Sequence, residues 1–366
     1  PEQISAIAVL MPPFVVNPLA PMLSSMATTI AADSSPPEGV GAAVYKLSIS
    51  SEGIYLLDSD FLLAQRHDGA QIDAIDLEQI RLFNLGQEVA IYISDDQGEA
   101  GELNAGDYIE FYAPGIDDTY RKYSTDNIYW LTLTGGTGLP KRMASDDGKP
   151  AGVEFGIDFV DTLHHEKNQK IWLKAPGEDD LERWFFYTDV QGSAYGGQPV
   201  DFTIAVPDPV SSGTLTIMMA AKTSADHEVK VTINGTEQSF MWSGISFYEA
   251  TLEDVNLFDD DNTVTLQCLS ADGNDVIVID YFEISYRRDY AAAADNTLKF
   301  YPDNGSRYVI DGFSSDALLA YDISDPADVV KVDGAVIDGI NPYSIEFEPA
   351  SLGDTYFVVA ADAINA

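Results

Sequence analysis

The chain has 366 residues and carries 60 acidic against 19 basic side chains, a formal net charge of −41. A field of that sign repels nucleic acid and anionic membranes, so neither is an expected partner. The one cysteine, Cys268, excludes an intrachain disulfide framework, while a hydrophobic content of 45% is enough for real cores.

No apolar run reaches the roughly 18 residues that a membrane helix needs, so no membrane insertion is expected. The chain begins at Pro1 rather than Met, which points to processing, with any export signal upstream. A secreted or cell-surface bacterial protein fits this composition, and a disulfide-stapled extracellular module does not.

Residues 1–42 are rich in Pro, Ala and Ser and read as an extended leader or arm, with one strand across Ile4 to Met11. Residues 43–160 read as an N-terminal β domain. AVYKLSIS, IYLLDSDFLLAQ, IRLFNLG, EVAIYIS, YIEFYAPG and NIYWLTL are its strands, and a short amphipathic element spans Ile72 to Gln79. Within it, Asn127 to Leu133 reads as a core strand with Trp130 buried. Gly135 to Gly152 reads as a loop.

Residues 161–290 carry the clearest pattern. Val229, Val231 and Ile233 alternate with Lys230 and Thr232, and Val264, Leu266 and Cys268 with Thr265 and Gln267. Period two marks half-buried strands, and Asn234-Gly235 between apolar runs marks a hairpin. Residues 291–366 add six short apolar segments closed by Gly, Asp, Asn or Pro, a small C-terminal β domain. The expected fold is all-β and multi-domain, with an antiparallel β-sandwich or jelly-roll central domain flanked by smaller β domains.

The order of motifs from Gly53 to Leu131 resembles the non-catalytic N-terminal region of gingipain-like, caspase-fold cysteine peptidases of bacteria. Gly53-Ile54-Tyr55 with Asp60-Phe61-Leu62 is similar to the opening of that region. Ile80 to Asn84 with Gly86 to Val89, Gly106 to Tyr112, and Tyr123 to Leu131 follow as in the family, and His165-Glu166-Lys167-Asn168 precedes the sandwich. The resemblance covers roughly residues 43–360. In the family these domains precede a peptidase domain with a His–Cys dyad, and this chain ends about where that domain would begin. The resemblance therefore implies a peptidase-associated accessory or pro-region acting on a peptidase domain in cis or trans, not an enzyme in itself.

The residues alone offer no nucleophile–base set. Cys268 lies in register with Val264 and Leu266, which predicts a buried, inert thiol. Of the histidines His67, His164, His165 and His227, the adjacent pair points to opposite strand faces, and no further ligands sit at a zinc spacing. Acid clusters are the better lead for a cofactor. Asp58-Ser-Asp60, Asp259-Asp260-Asp261, Asp272 to Asp275 and Asp322 to Asp328 place oxygen ligands at loop spacing for structural Ca2+, against ordinary Asx-turn chemistry. Asp280 is a carboxylate that strict alternation puts on one face with Val276, Val278, Phe282 and Ile284, which calls for a bonded partner or a metal. Asp259, Asp260, Asp261 and Asp280 are the candidate metal residues.

Trp184, Tyr195, Trp242 and Tyr248 lie near the sandwich and are candidates for stacking on sugar rings, against plain core packing. A carbohydrate-binding or adhesion module, with glycans as partners, is the alternative function. Asn234-Gly-Thr236 and Asn304-Gly-Ser306 match the glycosylation pattern and read as turns.

Overall fold

The computed structural model describes residues 5–8, 44–59, 62, 66–67, 70–71, 75–116, 124–134, 138–176, 183–271, 273–350 and 354–365. The leader beyond the strand Ser5–Ala8, Asp60, Phe61, Tyr123 and Asp272 therefore lie outside the described residues. Among the described residues the chain is nearly all β, in sheets whose pairings are almost all antiparallel. Contacts divide it into two compact units: Pro1–Gly152 with Ala294–Lys299 and Val309–Ala366, and Val153–Ala293 with Phe300–Tyr308. The sequence places cuts at 42, 160 and 290. Contacts divide the chain after residues 152, 293, 299 and 308, and most of the C-terminal segment joins the first unit.

In the first unit, one sheet runs in the order Ser5–Ala8, Val44–Ile49, Asn127–Thr132, Arg81–Asn84, Gln87–Val89. It shares a core with the sheet of Gly53–Asp58, Tyr108–Ala113 and Tyr92–Ile93. Phe111 sits between Tyr55 and Tyr129, with ring centroids 5.7 and 5.5 Å away. Trp130 is buried, as its strand predicts. The opposite face of the smaller sheet is buried too. Ile54 and Tyr112 pack with Tyr321, Ile323, Val329, Phe357 and Val359 from the C-terminal strands and their flanks. Burial on both faces is why YIEFYA reads as an almost continuous apolar run rather than an alternating one. It also explains the division of units, because the C-terminal strands supply the second half of this core.

One strand of this unit carries no apolar signal. Ala144–Asp147 pairs in parallel with Val330–Asp333 inside the stretch that the sequence reads as a loop. Its residues, ASDD, are mostly exposed, so nothing in them marks a strand.

The second unit is an antiparallel β-sandwich. One sheet runs Asp158–Glu166, Val276–Asp289, Gly213–Ala221, Phe247–Val255, and the other Val200–Val206, Asp260–Cys268, Asp226–Ile233, Thr236–Ser243. Val229, Val231, Ile233, Val264, Leu266 and Cys268 all face the core between them, as alternation predicts. The Asn234-Gly235 hairpin is present, with φ of 47° and 88° at its two turn residues. Positive φ at both positions is what a tight hairpin turn demands, and Asn and Gly tolerate it best.

The long strand Val276–Asp289 departs from the predicted faces. Met218 pairs with Tyr281 and Met219 with Ile279, so Asp280 is an extra residue with no partner position, a β-bulge. Ile277 and Ile279 face the core before it, and Phe282, Ile284 and Tyr286 after it. The inserted residue shifts the period by one and moves the apolar set to the other parity. Strict alternation through Asp280 is therefore corrected. Asp280 is 5% exposed at the bulge rather than midway along one apolar face.

Candidate binding cleft on the sandwich

The acidic candidates separate in space by role. Asp259, Asp260 and Asp261 are exposed at the turn entering Asp260–Cys268. Asp259 Oδ1 accepts from the backbone N–H groups of Asp208 (3.0 Å) and Asp260 (3.1 Å). The turn is organised by the buried Asn262. Its Oδ1 accepts from Phe258 N (2.9 Å) and Asn234 Nδ2 (2.6 Å), while its Nδ2 donates to the carbonyls of Phe258 (2.8 Å) and Asp260 (2.9 Å). Asp280, in the neighbouring sheet, has interactions of its own within the protein. Among the described residues, no group of three or more His, Cys, Asp or Glu side chains is arranged to hold a metal ion.

Cys268 is 9% exposed and donates to the Val190 carbonyl at 3.6 Å. Burial, with the Asp275 carboxylate adding to it, pushes its thiol up to about 12. His227 is locked as well: Nδ1 lies 2.9 Å from Asp275 Oδ1, and Nε2 faces the carbonyls of Thr223 and Gly244, each at 3.1 Å. His164 lies against Tyr281, and His165 against Phe186 and Phe282 on the other face, as adjacent strand residues must.

Both glycosylation-pattern asparagines are occupied. Asn234 Nδ2 donates to the Asn256 carbonyl (2.8 Å) and to Asn262, and Asn304 Nδ2 to the Asp158 carbonyl (2.7 Å).

The sequence-predicted aromatics divide. Trp242 stacks on Tyr248, with centroids 4.6 Å apart at 12°, and His227 lies 5.0 Å from the indole. The half-buried indole also lines a cleft of about 420 Å³, together with His227, Met241, Asp226 and Glu228. Trp184 and Tyr195 lie on separate elements, the Lys170–Ile171/Trp184–Phe185 ribbon and the 3-10 turn Ser193–Tyr195.

A second cleft, of about 320 Å³, opens where the edge strand Asp158–Glu166 of one sheet faces the edge strand Val200–Val206 of the other. Its floor is aromatic: Phe186 meets Phe202 edge-on at 5.5 Å, and His165 lies 5.7 Å from Phe186. Its rim carries Lys167, Gln169, Tyr187, Thr188, Asp201 and Thr203. Tyr187 is 72% exposed, while its neighbour Phe186 is buried and bonds its backbone N–H to the Ile279 carbonyl (2.9 Å). No ring packs on Tyr187 among the described residues. Burial, then Lys167 and His164, lower the His165 pKa, so its ring is a neutral donor and acceptor. Tyr187, His165 and Lys167 as a binding set escape sequence reasoning. His165 lies near the end of the edge strand Asp158–Glu166, Lys167 just beyond it and Tyr187 after Trp184–Phe185, so no single periodic run joins them.

The fold is thus that of a multi-domain antiparallel β protein with a sandwich unit. No family model matches the sequence, and no curated protein matches it. Among solved structures, the fold is similar to dimeric latent PorU from Porphyromonas gingivalis, with a TM-score of 0.62 and 14% identity over 93% of this chain. This chain spans 34% of that protein's length. About a third of the chain also matches CBM35 from Cellvibrio japonicus Abf62 (22% identity, 92% of that chain, TM-score 0.26). A carbohydrate-binding module CBM36 in complex with calcium and xylotriose matches a similar share (19% identity, 98% of that chain, TM-score 0.22). The last two scores are too low to argue from.

Proposed function

We propose that this chain is a non-catalytic accessory or pro-region of a secreted or cell-surface gingipain-like peptidase, which packs against or positions a catalytic domain. The observation that supports it is the fold likeness to latent PorU across 93% of the chain, found where the motif order from Gly53 to Leu131 already resembles such a region. The chemistry of the chain agrees: its one thiol is buried and pushed up to about 12, far from a nucleophile's range. The test is the gene on either side together with the purified chain. We expect a caspase-fold domain with a His–Cys pair in the same or a neighbouring reading frame, and no peptide cleavage by this chain alone. Cleavage that survives thiol blocking, or a locus without any such peptidase, removes the reading.

A second reading is favoured by the cleft at Tyr187: a carbohydrate-binding surface. An exposed aromatic face beside several polar side chains is the arrangement that stacks on a sugar ring and holds its hydroxyls. Tyr187→Ala should abolish binding to any glycan that the parent retains. Structural calcium at Asp259, Asp260, Asp261 or Asp280 remains a further proposal, tested by comparing calcium with magnesium at one ionic strength.

A further inference from the structure

The Tyr187 cleft is rich in donors. Gln169 Oε1 accepts from the Tyr187 backbone N–H at 3.3 Å, which orients the amide and leaves its NH2 without a bond among the described residues. The Lys167 ammonium has no carboxylate partner among the described residues, although acids outnumber bases threefold in this chain. Thr188 and Thr203 add hydroxyls, and His165 one ring N–H. On the acceptor side the rim holds one carboxylate, Asp201, and its Oδ1 already takes the Thr265 hydroxyl at 2.6 Å. The Lys167 ammonium and the Gln169 amide thus line a cleft whose one carboxylate already takes a hydroxyl and whose other side-chain acceptors are neutral. A ligand rich in acceptors is the complement, and a charge-assisted bond to Lys167 is strongest with a carboxylate.

Resting on the glycan reading of this cleft, we propose that it takes an acidic sugar, a uronic acid residue stacked on Tyr187 with its carboxylate toward Lys167 and Gln169. The cleft volume of about 320 Å³ is at the small end of ligand sites, which suits one or two sugar rings. The net charge of −41 opposes a long polyanion. At physiological salt, however, that field is screened within about 8 Å, so for a short oligomer the local donor set decides.

The test is calorimetry of the whole chain with tri-galacturonic and tri-glucuronic acids, their neutral methyl esters, and neutral and amino-sugar trimers. The expected result is at least tenfold tighter binding of an acid than of its ester. Lys167→Met should remove that preference while leaving the weaker ester binding, and Tyr187→Ala should remove both. Lys167 and Tyr187 are exposed, so both variants should keep the parent's melting temperature. Equal binding of acid and ester, or a preference for the amino sugar, overturns the acidic-sugar assignment and leaves glycan binding standing. No binding by any trimer overturns both.

Discussion

At the scale of single residues, environment decides which groups are chemically live. Cys268 has apolar neighbours on its strand face and a backbone carbonyl as its acceptor, and burial raises its thiol to about 12. Thiol titration with an aromatic disulfide in native buffer should therefore show almost no reaction until denaturant is added. Rapid labelling would mean that the strand opens readily. His165 gives a pH signature. Its pKa is lowered in the folded chain, first by burial, so the unfolded chain binds the extra proton. Stability is unaffected above the unfolded value of about 6.5 and falls as pH drops through it toward the lower folded value. His165→Gln should flatten the stability curve just below pH 6.5 relative to the parent, read as the difference between two denaturant series. Identical slopes would place this ring in open solvent. The Cys268 result was legible from alternation alone. The His165 and Tyr187 roles were not, since they depend on which edge strands meet.

At the scale of elements, period two predicted the sandwich strands well and failed at one residue. The first four residues of VIVIDYFEISY are apolar on both parities, so they set no phase from which a slip could be seen, and only pairing with Met218 and Met219 reveals the bulge at Asp280. Ala144–Asp147 was invisible for the opposite reason, a strand without apolar residues. The acidic turn at Asp259 to Asp261 is held by Asn262 rather than by its acids. Asn262→Ala removes four hydrogen bonds and leaves the Phe258 and Asp260 backbone groups unsatisfied. The expected cost is about 2–4 kcal/mol, measured by urea unfolding with an unchanged slope. A cost below about 0.5 kcal/mol would mean that water replaces the side chain. Asp261→Asn, exposed on the same turn, should change little.

At the scale of the whole molecule, charge is the dominant feature that the sequence announces, and the fold answers it locally. Glu110, 2% exposed, accepts from the Tyr321 hydroxyl at 2.8 Å and meets the Lys331 ammonium at 3.2 Å, joining segments 211 and 221 residues apart within the first unit. Most of the 60 acids have no such partner available, with only 19 bases in the chain. Self-repulsion at −41 destabilises a compact state, and salt relieves it by screening. The melting temperature should therefore rise with sodium chloride. The question left for calcium is whether any loop holds it specifically. A ligand binding only the folded state adds about 2.7 kcal/mol at a hundredfold excess over its dissociation constant. Asp259 already serves two backbone N–H groups, and no three acidic side chains converge among the described residues. Structural calcium, as proposed, would therefore draw on carbonyls and water as well as carboxylates, and at matched ionic strength calcium should raise the melting temperature several degrees beyond magnesium and sodium chloride. Equal shifts from all three would mean screening alone. Loss of the calcium surplus in Asp260→Asn or Asp261→Asn would locate the ion at the turn, and persistence in both would send the search to Asp280.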